Sequence, residues 1–202
     1  MDIFLLLLAA VIGYLLGSAN TSLIIGRFYG IDVRQHGSGN AGATNTLRTL
    51  GKKAAAMVGA GDILKGVISC IIGFCIAGQL GLMAGGVAAV LGHNWPVFFG
   101  FKGGKGIFTS FAVVLMMDWK LGLMLLGVFI IIVSITRYIS LGSIIASALF
   151  PVAAAIFKRP LEFTAFASVL GLLAVVRHRA NIKRIIEGTE SKFGRKKEKG
   201  ER

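Results

Sequence analysis

The sequence predicts an all-α, polytopic integral membrane protein of about seven transmembrane helices, with the N-terminus outside and the C-terminus cytoplasmic. Composition, the lengths of the apolar runs and the placement of positive charge each point there. Of 202 residues, 55% are hydrophobic and 15% charged, and the mean hydropathy is +0.78, too apolar for a soluble domain of this size. A hydrocarbon layer about 30 Å thick needs about 20 helical residues. Apolar runs near that length fall at 3–26, 53–78, 80–93, 105–117, 121–135, 139–157 and 161–176, the third and fourth being short. The first opens on Asp2 without a basic leader and runs past the length of a signal-peptide core, so it reads as a retained membrane helix.

Charge orients the spans. Seven crossings from an outer N-terminus put eighteen Lys and Arg inside and three outside, Lys120, Lys158 and Arg159, with Lys65 left within a span. This is the positive-inside bias. A net charge of +13 on its own would suit nucleic acid, but the basic residues lie between long apolar runs and not on a polar surface, which argues against that partner. Anionic substrates and membrane lipids suit it better. Cys70 and Cys75 lie five apart in an apolar helical run, off one face, and read as two small buried apolar residues. No internal repeat is evident, which weakens a transporter built from inverted halves. The whole of 1–202 reads as one transmembrane domain, with a mobile basic tail over 194–202.

The polar residues gather in three words, all placed on the inner side by this topology. In "GSGNAGATN", Gly37, Gly39 and Gly42 alternate with Ser38, Asn40, Thr44 and Asn45. Glycines let consecutive N–H groups turn toward one point, and small hydroxyl and amide side chains add donors, a composition suited to phosphate. Arg34 and Arg48 flank the word and offer bidentate bonds to phosphate oxygens.

The second word, "GHNWPVFFGFKGGKG", sets Lys102 and Lys105 around Gly103 and Gly104, followed by Gly106. A Walker A loop would need glycine where Phe99 stands and Ser or Thr where Gly106 stands, so nucleotide hydrolysis is disfavoured. A cationic loop leading into a helix N-terminus still suits an anion. His93 and Asn94 open this word, and its aromatic residues favour the membrane interface. The third word, "RHRANIKRIIEGTESKF", carries His178 and Asn181. His36, His93 and His178 each lie in one word and are able to move a proton near neutral pH. They lack the carboxylate or cysteine companions of a metal site. Asp62 and Lys65, three apart in the second span, form either a mutually satisfied pair or an extension of the cationic wall.

With these three words in this order, nearly the whole chain resembles the acyl-phosphate-dependent glycerol-3-phosphate acyltransferases, the bacterial PlsY family. The resemblance implies transfer of a fatty acyl group from acyl phosphate to the 1-hydroxyl of glycerol 3-phosphate, giving lysophosphatidic acid and phosphate, in the bacterial cytoplasmic (inner) membrane and without a cofactor. It implies essential roles for Ser38 and Arg48, binding of glycerol 3-phosphate at Gly103, Gly104 and Gly106 with Lys105 beside them, activity dependent on His178 and Asn181, and a structural glutamate at Glu190 or, as the other choice, Glu187. His93, Asn94, Lys65 and Lys102 are further candidates for contact with substrate. Two phosphorylated substrates repel each other, and a cationic cluster offsets that repulsion. An acyl phosphate is a mixed anhydride with a good leaving group, so positioning and charge stabilisation suffice for direct transfer. Proton removal falls to His178 or to a substrate phosphate oxygen. Ser38 serves as a donor to phosphate or, alternatively, as an acyl carrier. A transporter or flippase of a phosphorylated amphiphile is the competing reading.

Overall fold

The computed structural model describes residues 2–194, and every regular element among them is helical. Of the tail expected over 194–202, all but Gly194 lies outside the described residues. The chain divides after Gly122 into two compact units.

In the first unit, α1 (Ile3–Ser18) is capped by the Asp2 carboxylate, which accepts from the Phe4 N–H at 3.0 Å. The expected first span does not run unbroken: α1 ends at Ser18 and α2 covers Thr21–Phe28. Asn20 causes the break. Its extended backbone and side-chain bond to the Leu23 N–H (3.1 Å) make it the N-cap of α2. A 3₁₀ turn at Val33–Gln35 and the short α3 (Ala43–Thr49) carry the first polar word. Leu23, Val33 and Ala41 form a buried cluster beneath it, covered by Ile31, Leu50 and Phe99.

Helix α4 (Gly51–Asn94) is folded on itself at Ala77 and Gly78, where Gly78 takes φ +60°. The two arms, about 40 and 25 Å long at 1.5 Å per residue, correspond to the second and third apolar runs. The hairpin closes on glycine: a Cβ at Gly73 or Gly81 would collide with the other's backbone, and one at Gly85 would lie 2.7 Å from the Ser69 carbonyl. The same arm takes α1, with Gly13 against Gly85 and Gly17 against Ala89. Such small residues let helices approach where lipid supplies no hydrophobic drive between them. Helix α5 (Ile107–Met117) packs on both arms, Gly66 facing Thr109 and Gly86 facing Val113. At 11 residues it is about 16 Å long, short of a hydrocarbon layer.

The break between units falls within α6 (Trp119–Thr136). The second unit continues with α7 (Ile139–Ile156), α8 (Leu161–Arg177) and α9 (Arg179–Ile186), the last bent 53° from α8. Gly142 admits Val133 and Phe129 of α6, while Phe150 and Phe163 join α7 to α8 edge-to-face at 5.9 Å.

All seven apolar runs fall on helix, and the structure alters their ends. By length and composition, four helical stretches suffice to cross a membrane, or five with the bent α8–α9 pair. Ile3, Phe4, Leu7, Val11 and Leu15 on α1, and Ile130, Ile131 and Ile135 on α6, are exposed, the outward apolar faces that a lipid solvent favours. Cys75 is exposed too, contrary to the expectation that both cysteines are buried; Cys70 is buried. Five residues on, it lies off the packed face.

Candidate active site

The first unit brings the first two polar words together. Arg34 makes the join: its guanidinium holds both Asp32 oxygens (2.7–3.1 Å) and donates to the carbonyls of Phe99 (3.0 Å) and Lys102 (3.3 Å) in the second word. Hydrogen bonding to Arg34 holds the Asp32 carboxyl below the usual carboxylate range. Arg34 is thus a clip between loops, where the sequence suggested a phosphate ligand. Arg27 stacks 4.9 Å over Phe99 beside it.

Asn45 organises the first loop from below. It is buried, its Oδ1 accepting from the N–H (2.8 Å) and hydroxyl (3.2 Å) of Ser38, its Nδ2 donating to Val33 (2.8 Å) and His36 (3.0 Å) carbonyls. Gly37 (φ +61°) and Gly39 (φ +71°) supply the left-handed backbone on either side of Ser38. Gly39 N–H bonds to His36 O and Gly42 N–H to Asn40 O. The N–H groups of Ser38, Gly39 and Gly42 are therefore engaged inside the loop and do not form the anion nest expected of them. Side chains are left to face outward: Ser38 is exposed, Asn40 and Thr44 half-buried, and Arg48 exposed one turn beyond Asn45 on the same side of α3.

The second loop is built likewise. Gly103 N–H donates to Asn94 O (3.2 Å) and Gly104 N–H to His93 O (3.1 Å). A side chain at Gly103 would collide with the His93 carbonyl, and one at Gly104 with His93 Nε2 and the Ala41 carbonyl. The two words thus touch through backbone at Ala41 and Gly104, and only glycine permits it. Lys105 is half-buried, Lys102 exposed, and no side chain caps the first turn of α5 after Gly106 (φ +74°). The positive end of a helix favours negative charge. Asn94 is fully buried beside Gly106, neither its Oδ1 nor its Nδ2 hydrogen-bonded.

Below both loops, Lys65 Nζ lies 2.9 Å from Asp62 Oδ1. This is the mutually satisfied pair that the three-residue spacing allowed.

The second unit holds the third word. His178 is buried where α8 bends into α9, its Nδ1 2.7 Å from the Ala174 carbonyl. A carbonyl only accepts, so Nδ1 carries a proton. Asn181 Nδ2 and Ser140 Oγ donate to Glu190 Oε1 (2.7 and 2.8 Å), and Arg184 Nε to Oε2 (2.7 Å). Burial alone would raise the Glu190 pKa, but the bonds from Arg184, Asn181 and Ser140 win and lower it. Glu187, the other candidate, is exposed, 3.7 Å from Lys183.

Residues 7–188 match the family model described as glycerol-3-phosphate acyltransferase. This chain belongs to the glycerol-3-phosphate acyltransferase family. The glycerol-3-phosphate acyltransferase of Thermoanaerobacter sp. (strain X514) is 50% identical over 192 residues, covering 95% of this chain and 97% of its own. That of Clostridioides difficile (strain 630) is 46% identical over 205 residues, covering 98% and 100%. Among solved structures, PlsY (YgiH), an integral membrane glycerol 3-phosphate acyltransferase, matches in its glycerol 3-phosphate form with a TM-score of 0.88 at 40% identity, covering 94% of this chain and 96% of that one. Its lysophosphatidic acid form matches with a TM-score of 0.85 at the same identity, covering 94% and 95%. The family match spans both units, and the integral-membrane, all-helical architecture is shared.

Sequence reasoning missed Asn20, Asp32, Ser140 and Thr21. Asn20 was legible as an Asn before Thr at a helix start, and Asp32 stands two residues before the Arg34 it holds; Ser140 and Thr21 reach Glu190 and Asp62, far along the chain, and left no local signal.

Proposed function

We propose that this glycerol-3-phosphate acyltransferase takes its acyl group from acyl phosphate and passes it directly to the 1-hydroxyl of glycerol 3-phosphate. A bond forms between that oxygen and the acyl carbon. The bond from the acyl carbon to the phosphate oxygen breaks, and phosphate departs with the electron pair. The hydroxyl proton goes to His178 Nε2 or to a substrate phosphate oxygen. The products are lysophosphatidic acid and phosphate, as the first acylation of phospholipid synthesis.

The surroundings of Ser38 carry the case for direct transfer. Its hydroxyl donates to the amide oxygen of Asn45, a group too weakly basic to turn a serine into a nucleophile. Ser38, Arg48 and Lys105 are assigned to phosphate, aided by the α5 N-terminus, with Gly37, Gly39, Gly42, Gly103, Gly104 and Gly106 shaping the loops. Asn40, Thr44 and Lys102 lie at the same loops as further donors, and Asn45 acts by holding Ser38. Asn181 is assigned to the reaction with His178, and Glu190 to holding Asn181. The charge bias of the sequence supports a multi-pass protein of the bacterial cytoplasmic membrane, seven crossings, N-terminus outside, active face toward the cytoplasm. In this reading 1–202 is a single transmembrane acyltransferase domain.

The test is phosphate release by purified protein in detergent. Acyl phosphate should be turned over only with glycerol 3-phosphate present. Turnover with acyl-CoA alone would contradict the donor, and a burst of acylated protein without acceptor would contradict direct transfer.

A further inference from the structure

Asp62, Lys65 and His93 are buried together, each under 8% exposed, and the reaction above uses none of them. Beyond its ion pair with Asp62, Lys65 Nζ donates to the Ala19 carbonyl (3.3 Å) and lies 2.9 Å from His93 Nδ1. Thr21 Oγ1 donates to Asp62 Oδ1 at 3.1 Å. An ammonium has three hydrogens and no lone pair, and Asp62, Ala19 and His93 take all three. Because the ammonium can only donate, Nδ1 must accept. His93 is then neutral, with its proton on Nε2. The opposite assignment, an imidazolium aimed at Asp62 Oδ1 3.4 Å away, would set two cations against one carboxylate in an apolar interior and point N–H at N–H.

The Nε2 side of the ring faces the point where the two polar words touch. A Cβ on Gly104 would strike both Nε2 and the Ala41 carbonyl, and Gly104 N–H is bonded to the backbone of His93 itself. The ring therefore lies directly under the glycine loop, its tautomer set from beneath. Asn20 holds Ala41 from the other direction, its Nδ2 3.5 Å from that carbonyl.

We infer that His93 is a positioning residue for glycerol 3-phosphate: the Asp62–Lys65 pair fixes its ring as the Nε2–H tautomer, and that ring sets the second loop against the first, and so the aim of Lys105 at phosphate. The inference rests on the second loop being the phosphate-binding one. A buried ion pair gives little net stability, but it does give one fixed geometry, which a substrate loop needs. Asp62 and Lys65 act through the ring and touch no substrate.

Two replacements separate the roles of the ring nitrogens. His93→Gln keeps an N–H near Nε2 and gives up the Nδ1 acceptor. His93→Asn keeps an acceptor near Nδ1 and leaves the Nε2 position empty. Glycerol 3-phosphate affinity is read by calorimetry on detergent-purified protein without any acyl donor, alongside KM and kcat and a thermal melt. H93N should weaken binding about tenfold, a change of about 1.4 kcal/mol, with KM rising in step and kcat changing less than about threefold. H93Q should stay within about threefold of the unaltered Kd. Equal losses in both variants, or an unchanged Kd in H93N, would overturn the inference. If H93N is not monodisperse, the Asp62→Asn, Lys65→Met pair replaces it; a Kd there equal to that of the unaltered protein overturns the inference as well. Because no donor is present, a failure of the acyl-phosphate assignment leaves this result standing. Absence of glycerol 3-phosphate binding by the unaltered protein would instead sink the loop's assignment and the inference with it.

Discussion

Asn45 shows how one buried amide governs a loop that looks flexible on paper. Its four hydrogen bonds reach three residues, Ser38 inside the first polar word and Val33 and His36 just before it. Asn45→Ala should cost about 2–3 kcal/mol, since buried donors and carbonyls are left unmatched, and should cut activity by freeing Ser38. Asn45→Asp should be worse, because a carboxylate would face the Val33 and His36 carbonyls. Thermal melts and phosphate release check both. Glu190 makes a pH prediction. Its folded pKa lies below its ordinary value of 4.5, so the stability it contributes is present above that value and is lost as pH falls through the folded pKa. Glu190→Gln should melt lower than the unaltered protein at pH 7, and the gap should narrow as acid protonates Glu190. A constant gap from pH 7 to pH 3 would refute this. The sequence showed that "GSGNAGATN" was chemically loaded. It could not show which members point in, because Asn45 and Asn40 are the same residue type in the same word and differ only in which has Ser38 and two carbonyls within reach.

At the scale of elements, apolar length marked where helices lie, and glycine decides how closely they pack. The α4 hairpin and its seat for α1 depend on glycines that face backbone, Gly85 among them. Gly85→Leu should give aggregated or unrecoverable protein, as overpacking against main chain cannot be relieved by a rotamer change. Gly127→Leu on α6, where a Cβ meets nothing within 4 Å, should be tolerated; size-exclusion profiles in detergent compare the two. The apolar run at 3–26 read as one span because hydropathy does not register the N-cap at Asn20, while the break between the second and third runs was visible and needed only Gly78. The α8–α9 bend at His178 was not legible: no proline or glycine marks it, and His178 itself serves as both end and start.

For the whole molecule, the proposed reaction turns on the charge of Arg48, exposed on α3. Arg48→Ala should lose most acyl transfer, at least about a hundredfold for a charged contact to phosphate (~3 kcal/mol), while the melting curve stays put. Full activity would remove Arg48 from the site. The charge bias makes a second claim at this scale. In a cysteine-free background, Gln35→Cys and Arg179→Cys should resist a membrane-impermeant maleimide in intact cells, whereas Lys158→Cys should react. Reaction at all three would overturn the proposed orientation. Fold class and family were readable end to end, because both rest on patterns that persist over many residues. The engagement of loop N–H groups in their own loops was not, since it depends on which carbonyls the fold brings near.

The last described residues are sewn back into the second unit, Phe193 N–H to the Arg137 carbonyl at 2.7 Å and Glu190 to Ser140, Asn181 and Arg184. Anyone shortening this protein for crystal growth therefore has a hard stop: a cut after Ile186 would leave the final helix without its stitching, whereas a fusion joined beyond Gly194 disturbs none of these bonds.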